Sequence, residues 1–173
     1  MKYIFTSLLL CVGLICRAQT VEVGYSPITI TGWGKLQKTT KFDVSIFKEA
    51  FQTGKLRYLP GIRYTRLISN DTNVGEFGGP LNGNYTMYFV VPASFGYDLC
   101  TLEAIGRFGA GLSDKQFPNK NGLKLNFLLE GGFQYFFSSR FSIALLYSHI
   151  SNGYRGKTNP ATDNIGVTAG LSF

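Results

Sequence analysis

The chain has 173 residues, a formal net charge of +7 and 45% apolar side chains, with 21 Gly, 15 Phe and 10 Tyr against one His and three Cys. That length suits one domain, and so few cysteines exclude a disulfide-stapled scaffold. No nucleic-acid motif accompanies the positive charge, so anionic lipid headgroups are the expected partners and nucleic acid is not.

Residues 1–18 read as a secretion signal. Lys2 is its positive end, Ile4 to Ile15 its apolar core and Cys16-Arg17-Ala18 its cleavage site. The core is too short for a spanning helix. Residues 19–173 are then expected to form a single domain. Of the cysteines only Cys100 remains, and it is expected to be a small buried or lipid-facing hydrophobe.

After the signal, no run is long and apolar enough to span as a helix. Eight segments instead alternate apolar with small or polar residues: 20–31, 40–52, 56–68, 85–97, 101–112, 123–137, 141–152 and 163–173. A transmembrane barrel strand needs only about 9–11 residues with this alternation. Pro27, Pro60 and Pro92 fall inside such segments. Proline removes a ladder donor, so local bulges are expected there.

The connections alternate in length. Short ones lie at Thr53-Gly54, Leu99-Cys100 and Ser138-Ser139; longer ones span 32–39, 69–84, 113–122 and 153–162. That rhythm predicts an all-β, eight-stranded antiparallel transmembrane barrel with periplasmic termini and short periplasmic turns. In the last segment Ile165, Val167, Ala169, Leu171 and Phe173 share a face, and Asn164, Gly166, Thr168, Gly170 and Ser172 the other. The apolar set suits lipid and the small set a narrow interior. Charged residues are expected to concentrate toward the connections. Turned inside out, the same alternation would describe a soluble barrel around a ligand.

The seventh segment carries the only histidine. Phe141, Ile143, Leu145, Tyr147, His149 and Ser151 share one face, because i and i+2 point the same way on a strand. Asp163, at the start of the next segment, has the lipid-side parity of its own strand. A base, a hydroxyl and an acid thus emerge together on the outer wall, the set that ester cleavage needs. Singly, each has a plainer reading: an interfacial histidine, a loop start at Ser151-Asn152-Gly153, a turn aspartate.

The pattern His149-x-Ser151-Asn152-Gly153, then Asn159-Pro160 and an acid before the last strand, resembles the PagL-type lipid A 3-O-deacylases. Residues 95–173 carry the resemblance. It implies an outer-membrane esterase that removes the acyl chain at the 3-position of lipid A. It implies Ser151 as nucleophile, His149 as base, Asp163 as acid where that family has Glu, and Asn152 as oxyanion donor. The C-terminal Phe173 also resembles the terminal signature of outer-membrane barrels.

Arg155 and Lys157, with Lys115 and Lys120, fall in proposed outer loops and are candidates for lipid A phosphates. Tyr85, Tyr88, Tyr97, Tyr135, Tyr147 and Tyr154 suit interfacial belts or barrel filling. No cofactor or metal is expected: phosphate loops, dinucleotide fingerprints and zinc or calcium spacings are missing from the sequence. The expected partners are lipid A and outer-membrane lipids, and the expected location is the outer membrane. A non-enzymatic barrel of the OmpX or OmpA kind is the alternative.

Overall fold

Thr20–Thr31 opens a ladder that closes on itself. The computed structural model describes residues 20–31, 36–37, 39–70, 82–117, 123–153, 155 and 161–173. The proposed secretion signal lies outside the described residues, as do Lys120, Tyr154 and Lys157. The barrel strands are β1 (Thr20–Thr31), β2 (Thr39–Phe47), β3 (Gly61–Asn70), β4 (Asn82–Asp98), β5 (Leu102–Phe117), β6 (Leu123–Phe136), β7 (Phe141–Ser151) and β8 (Ala161–Ser172). Each pairs antiparallel with the next, and β8 pairs with β1. Closure gives each of these eight strands a neighbour on both sides, as a sheet in lipid requires. Among the described residues no helix is long and apolar enough to cross a membrane.

The prolines act as their chemistry dictates. The β1–β8 register shifts between Tyr25 and Ile28, around Pro27, and the β4–β5 register between Val90 and Ala93, around Pro92. Pro60 ends a ladder. The expected 56–68 strand splits into Leu56–Tyr58 and β3, with Leu59 and Pro60 between them. Leu56–Tyr58 pairs with Phe51–Thr53 and with the end of β4, across a turn where Gly54 has φ 55°. The expected turn at Thr53-Gly54 stands, at the tip of a kinked hairpin.

The turns at 99–101 and 137–140 lie at the same end of the barrel as this hairpin. Thr20 pairs with Ser172 and Phe141 with Leu171 there, so both described ends of the chain join them. Cys100 departs from expectation. It is exposed, with φ 82°, in a turn where its N–H donates to Asp98 Oδ1 at 2.7 Å. The turn dictates its place; packing does not.

Alternation sets the two surfaces. On β7, Ser142, Ala144, Leu146, Ser148 and Ile150 are buried, while Phe141, Ile143, Leu145 and Tyr147 are exposed. On β8, Asn164, Gly166, Thr168 and Gly170 are buried, and Val167 and Ala169 exposed. The outer wall also shows Val23, Phe42, Tyr88, Val90, Leu112, Leu129 and Phe133. Such an apolar surface belongs in lipid.

The interior corrects one expectation. Charges do not gather only at the connections: Glu22, Lys41, Asp43, Arg63, Glu103, Arg107 and Glu130 are all buried inside. Arg63 grips Glu130 through both carboxylate oxygens, at 2.5 and 2.7 Å. Arg107 grips Glu22 at 2.6 and 2.8 Å and also reaches Glu130 at 3.0 Å. Lys41 pairs with Asp43 at 2.7 Å and donates to Ser148 at 2.8 Å. Paired charges are tolerated away from water because each offsets the other's desolvation. Near the short-turn end, Arg57 binds Glu103 at 2.5 and 2.8 Å. A side chain at Gly96 would collide with the Glu103 carboxyl, so glycine makes room for that pair. A cluster of Phe47, Leu67, Met87, Phe89, Phe117, Leu128 and Ile150 fills much of the remaining interior.

Candidate functional site

β7 and β8 run antiparallel, and their register sets His149 directly opposite Asp163 and Ser151 opposite Ala161. This end lies away from the short turns. His149 Nδ1 is 2.7 Å from Asp163 Oδ1. A carboxylate has no proton to give, so the imidazole N–H donates. The side chains of His149 and Asp163 are 32% and 15% exposed, so the pair is partly desolvated yet open to the outside. Its surroundings are the apolar wall. Leu129 lies across from His149 on β6 and Ile30 across from Asp163 on β1.

Ser151 is the last residue of β7 and has the outward parity of His149, but it is nearly buried, at 6% exposed. Its strand neighbours are Phe127 and Ala161. Among the described residues Ser151 Oγ makes no hydrogen bond to the imidazole. Asn152 follows the strand end and is wholly buried; its carbonyl accepts from Arg155 N–H at 3.3 Å. Gly153 then turns the chain with φ 63°, and a side chain there would press on the Phe127 ring at 2.9 Å. Glycine at this position therefore accommodates the turn that follows the strand end against the Phe127 ring.

The fold thus joins His149 to Asp163, puts Ser151 on the same strand face and keeps Asn152 beside it. Arg155 is exposed, with its guanidinium 5.9 Å from the Phe127 ring centre. Lys115 belongs to the extended end of β5 rather than to a loop, its ammonium 4.6 Å from the Tyr85 ring centre. Tyr147 is a participant that sequence reasoning left among the interfacial tyrosines. Its hydroxyl donates to the same Asp163 Oδ1, at 2.6 Å. The signal that finds it is parity: it sits two residues before His149 on one face.

A closed eight-stranded antiparallel barrel with an apolar outer wall defines a class: the outer-membrane β-barrels. Within it, the chain belongs to the lipid A 3-O-deacylase (PagL) family, an ester-hydrolase family whose sequence pattern matches residues 20–172. Among solved structures, the outer-membrane enzyme PagL superposes with a TM-score of 0.58 at 14% identity, covering 89% of this chain and 99% of that one. Neisserial surface protein A (NspA) gives 0.54 at 12% identity, over 89% and 95% of the two chains. The Yersinia pestis outer membrane protein Ail in a phospholipid nanodisc gives 0.52 at 18%, over 91% and 99%. At such identities the structures share a fold with this chain. No curated protein matches it by sequence.

Proposed function

We propose that this barrel removes the ester-linked acyl chain at the 3-position of lipid A by Ser-His-acid catalysis, after export through a cleaved signal. The observation that carries the reading is the 2.7 Å His149–Asp163 contact on the lipid-facing wall, two residues before Ser151. With Nδ1 committed to Asp163, Nε2 is the nitrogen left to accept a proton. Ser151 Oγ attacks the ester carbonyl while His149 takes its proton. Asp163 fixes the ring and stabilises the imidazolium that forms. The tetrahedral intermediate collapses as His149 returns the proton to the departing sugar hydroxyl, leaving an acyl-serine. Water, activated by the same base, then releases the fatty acid.

Asn152, beside the nucleophile, is assigned to the oxyanion, a role worth about 3–4 kcal/mol when one such donor is lost. The hydrogen bond between Ser151 and His149 forms when substrate is seated, as is common in hydrolases whose unliganded contacts are long. Arg155 and Lys157 are assigned to lipid A phosphates. The scheme draws on side chains alone and uses no metal or cofactor. A site opening onto lipid suits an ester whose acyl chains already lie in the leaflet.

The test is fatty acid release from lipid A in detergent by the wild type and by Ser151→Ala, with heat-modifiability on a gel as the folding control. A folded, inactive Ser151→Ala barrel is expected. Unchanged release would remove this mechanism and favour a structural barrel.

A further inference from the structure

We infer that Tyr147 is a positioning residue of this site: its hydroxyl tethers the Asp163 carboxylate so that the same oxygen faces His149. The inference rests on the esterase reading above and extends it by one residue.

The geometry is specific. Asp163 Oδ1 accepts two hydrogen bonds, from Tyr147 Oη at 2.6 Å and from His149 Nδ1 at 2.7 Å. Both have the short lengths of charge-assisted bonds. In the β7–β8 register Tyr147 pairs with Ile165 and His149 with Asp163. Tyr147 therefore reaches Asp163 on the diagonal, a span that a long aromatic side chain covers. A tyrosine serving only the interface would need no partner on the next strand, since the headgroup region satisfies its hydroxyl.

The tether also answers a mechanical need. The terminal torsion of an aspartate is soft, so one hydrogen bond to an imidazole leaves its carboxylate free to swing. Asp163 stands at the rim of the barrel, the third residue of β8. Its strand neighbour on β1 is Ile30, which has no polar group with which to hold a carboxylate. A second donor on β7 holds the acid against the ring it must orient. The phenol keeps its proton throughout; nothing is transferred to or from it.

The experiment compares Tyr147→Phe, Asp163→Asn and the double variant, each as the full-length barrel refolded in detergent. Release of fatty acid is measured across lipid A concentrations so that kcat and KM separate. Phenylalanine keeps the ring and its lipid contacts, so a purely interfacial role would leave both constants unchanged. The expected result is kcat lowered about tenfold with KM within about twofold. In the Asp163→Asn background, Tyr147→Phe is expected to cost nothing further, because a residue acting through Asp163 has no one left to position. Wild-type kcat for Tyr147→Phe, or losses that multiply in the double variant, would overturn the inference. Failure of the esterase reading looks different: a folded Ser151→Ala barrel would then release fatty acid at the wild-type rate.

Discussion

The inside of this barrel and its outer wall use the same polar chemistry to opposite ends. Inside, Glu130 meets Arg63 and Arg107, each partner is almost wholly buried, and the carboxylate oxygens are spoken for. On the wall, His149 and Asp163 also pair, but the imidazole keeps a third of its surface open and a serine stands two residues away. The interior groups are closed circuits. The wall group has a nitrogen to spare and is open to its surroundings. Number and burial of charges would have pointed to the interior as the functional centre. Openness beside Ser151, the proposed nucleophile, points to the wall.

The sharpest way to break that contrast is to remove the proposed reacting groups. Ser151→Ala and His149→Ala are each expected to lower kcat for fatty acid release by about 10³-fold or more while the barrel stays heat-modifiable. Asp163→Asn should follow, losing about 10²–10⁴-fold because the imidazole loses the partner that sets its tautomer. Asp163→Glu is expected to retain much of the activity. The same release assay on purified variants checks all four.

The interior should respond in the other currency. Glu130→Leu leaves Arg63 and Arg107 buried without their shared carboxylate, and breaking such a pair costs about 3–5 kcal/mol. Urea unfolding in detergent, followed by tryptophan fluorescence and gel shift, should show that loss. Activity per folded molecule should change little. An active-site defect in a stable Glu130→Leu barrel would erase the distinction between the two regions.

The smallest effect is expected at the rim. Arg155→Ala with Lys157→Ala should weaken turnover of phosphorylated lipid A a few-fold, more at low salt, since exposed ion pairs are worth under about 1 kcal/mol and are screened. Turnover of a neutral ester should be untouched. Equal losses on both substrates would remove the electrostatic account.

The strands were legible because a half-buried strand must alternate, and here the lipid side is apolar enough for the period to stand out. The proline bulges were legible for a similar reason: a residue without an N–H cannot continue a ladder, and Pro27 and Pro92 sit at two of the three register shifts. The interior ions were not. Glu22 and Arg107 are 85 positions apart, and only closure of the barrel brings them together. Nothing local distinguishes a charge that points inward from one that sits near a connection. At the site, parity put His149, Ser151 and Asp163 on the same wall. It did not fix the register. The length of a loop does not say whether Asp163 faces His149 or a neighbour one pair along, and that choice also hides Tyr147's partner.

One consequence of the proposed function follows from the strand parity that sets His149 on the outer wall. A site that opens through the flank of a barrel meets its substrate by diffusion within a sheet, not from a volume. The governing concentration is then the mole fraction of the ester among its neighbours in the leaflet. Diluting the substrate with inert lipid should slow such a protein even when the amount of substrate per millilitre is unchanged, and both products remain where they are made until the leaflet itself disperses them.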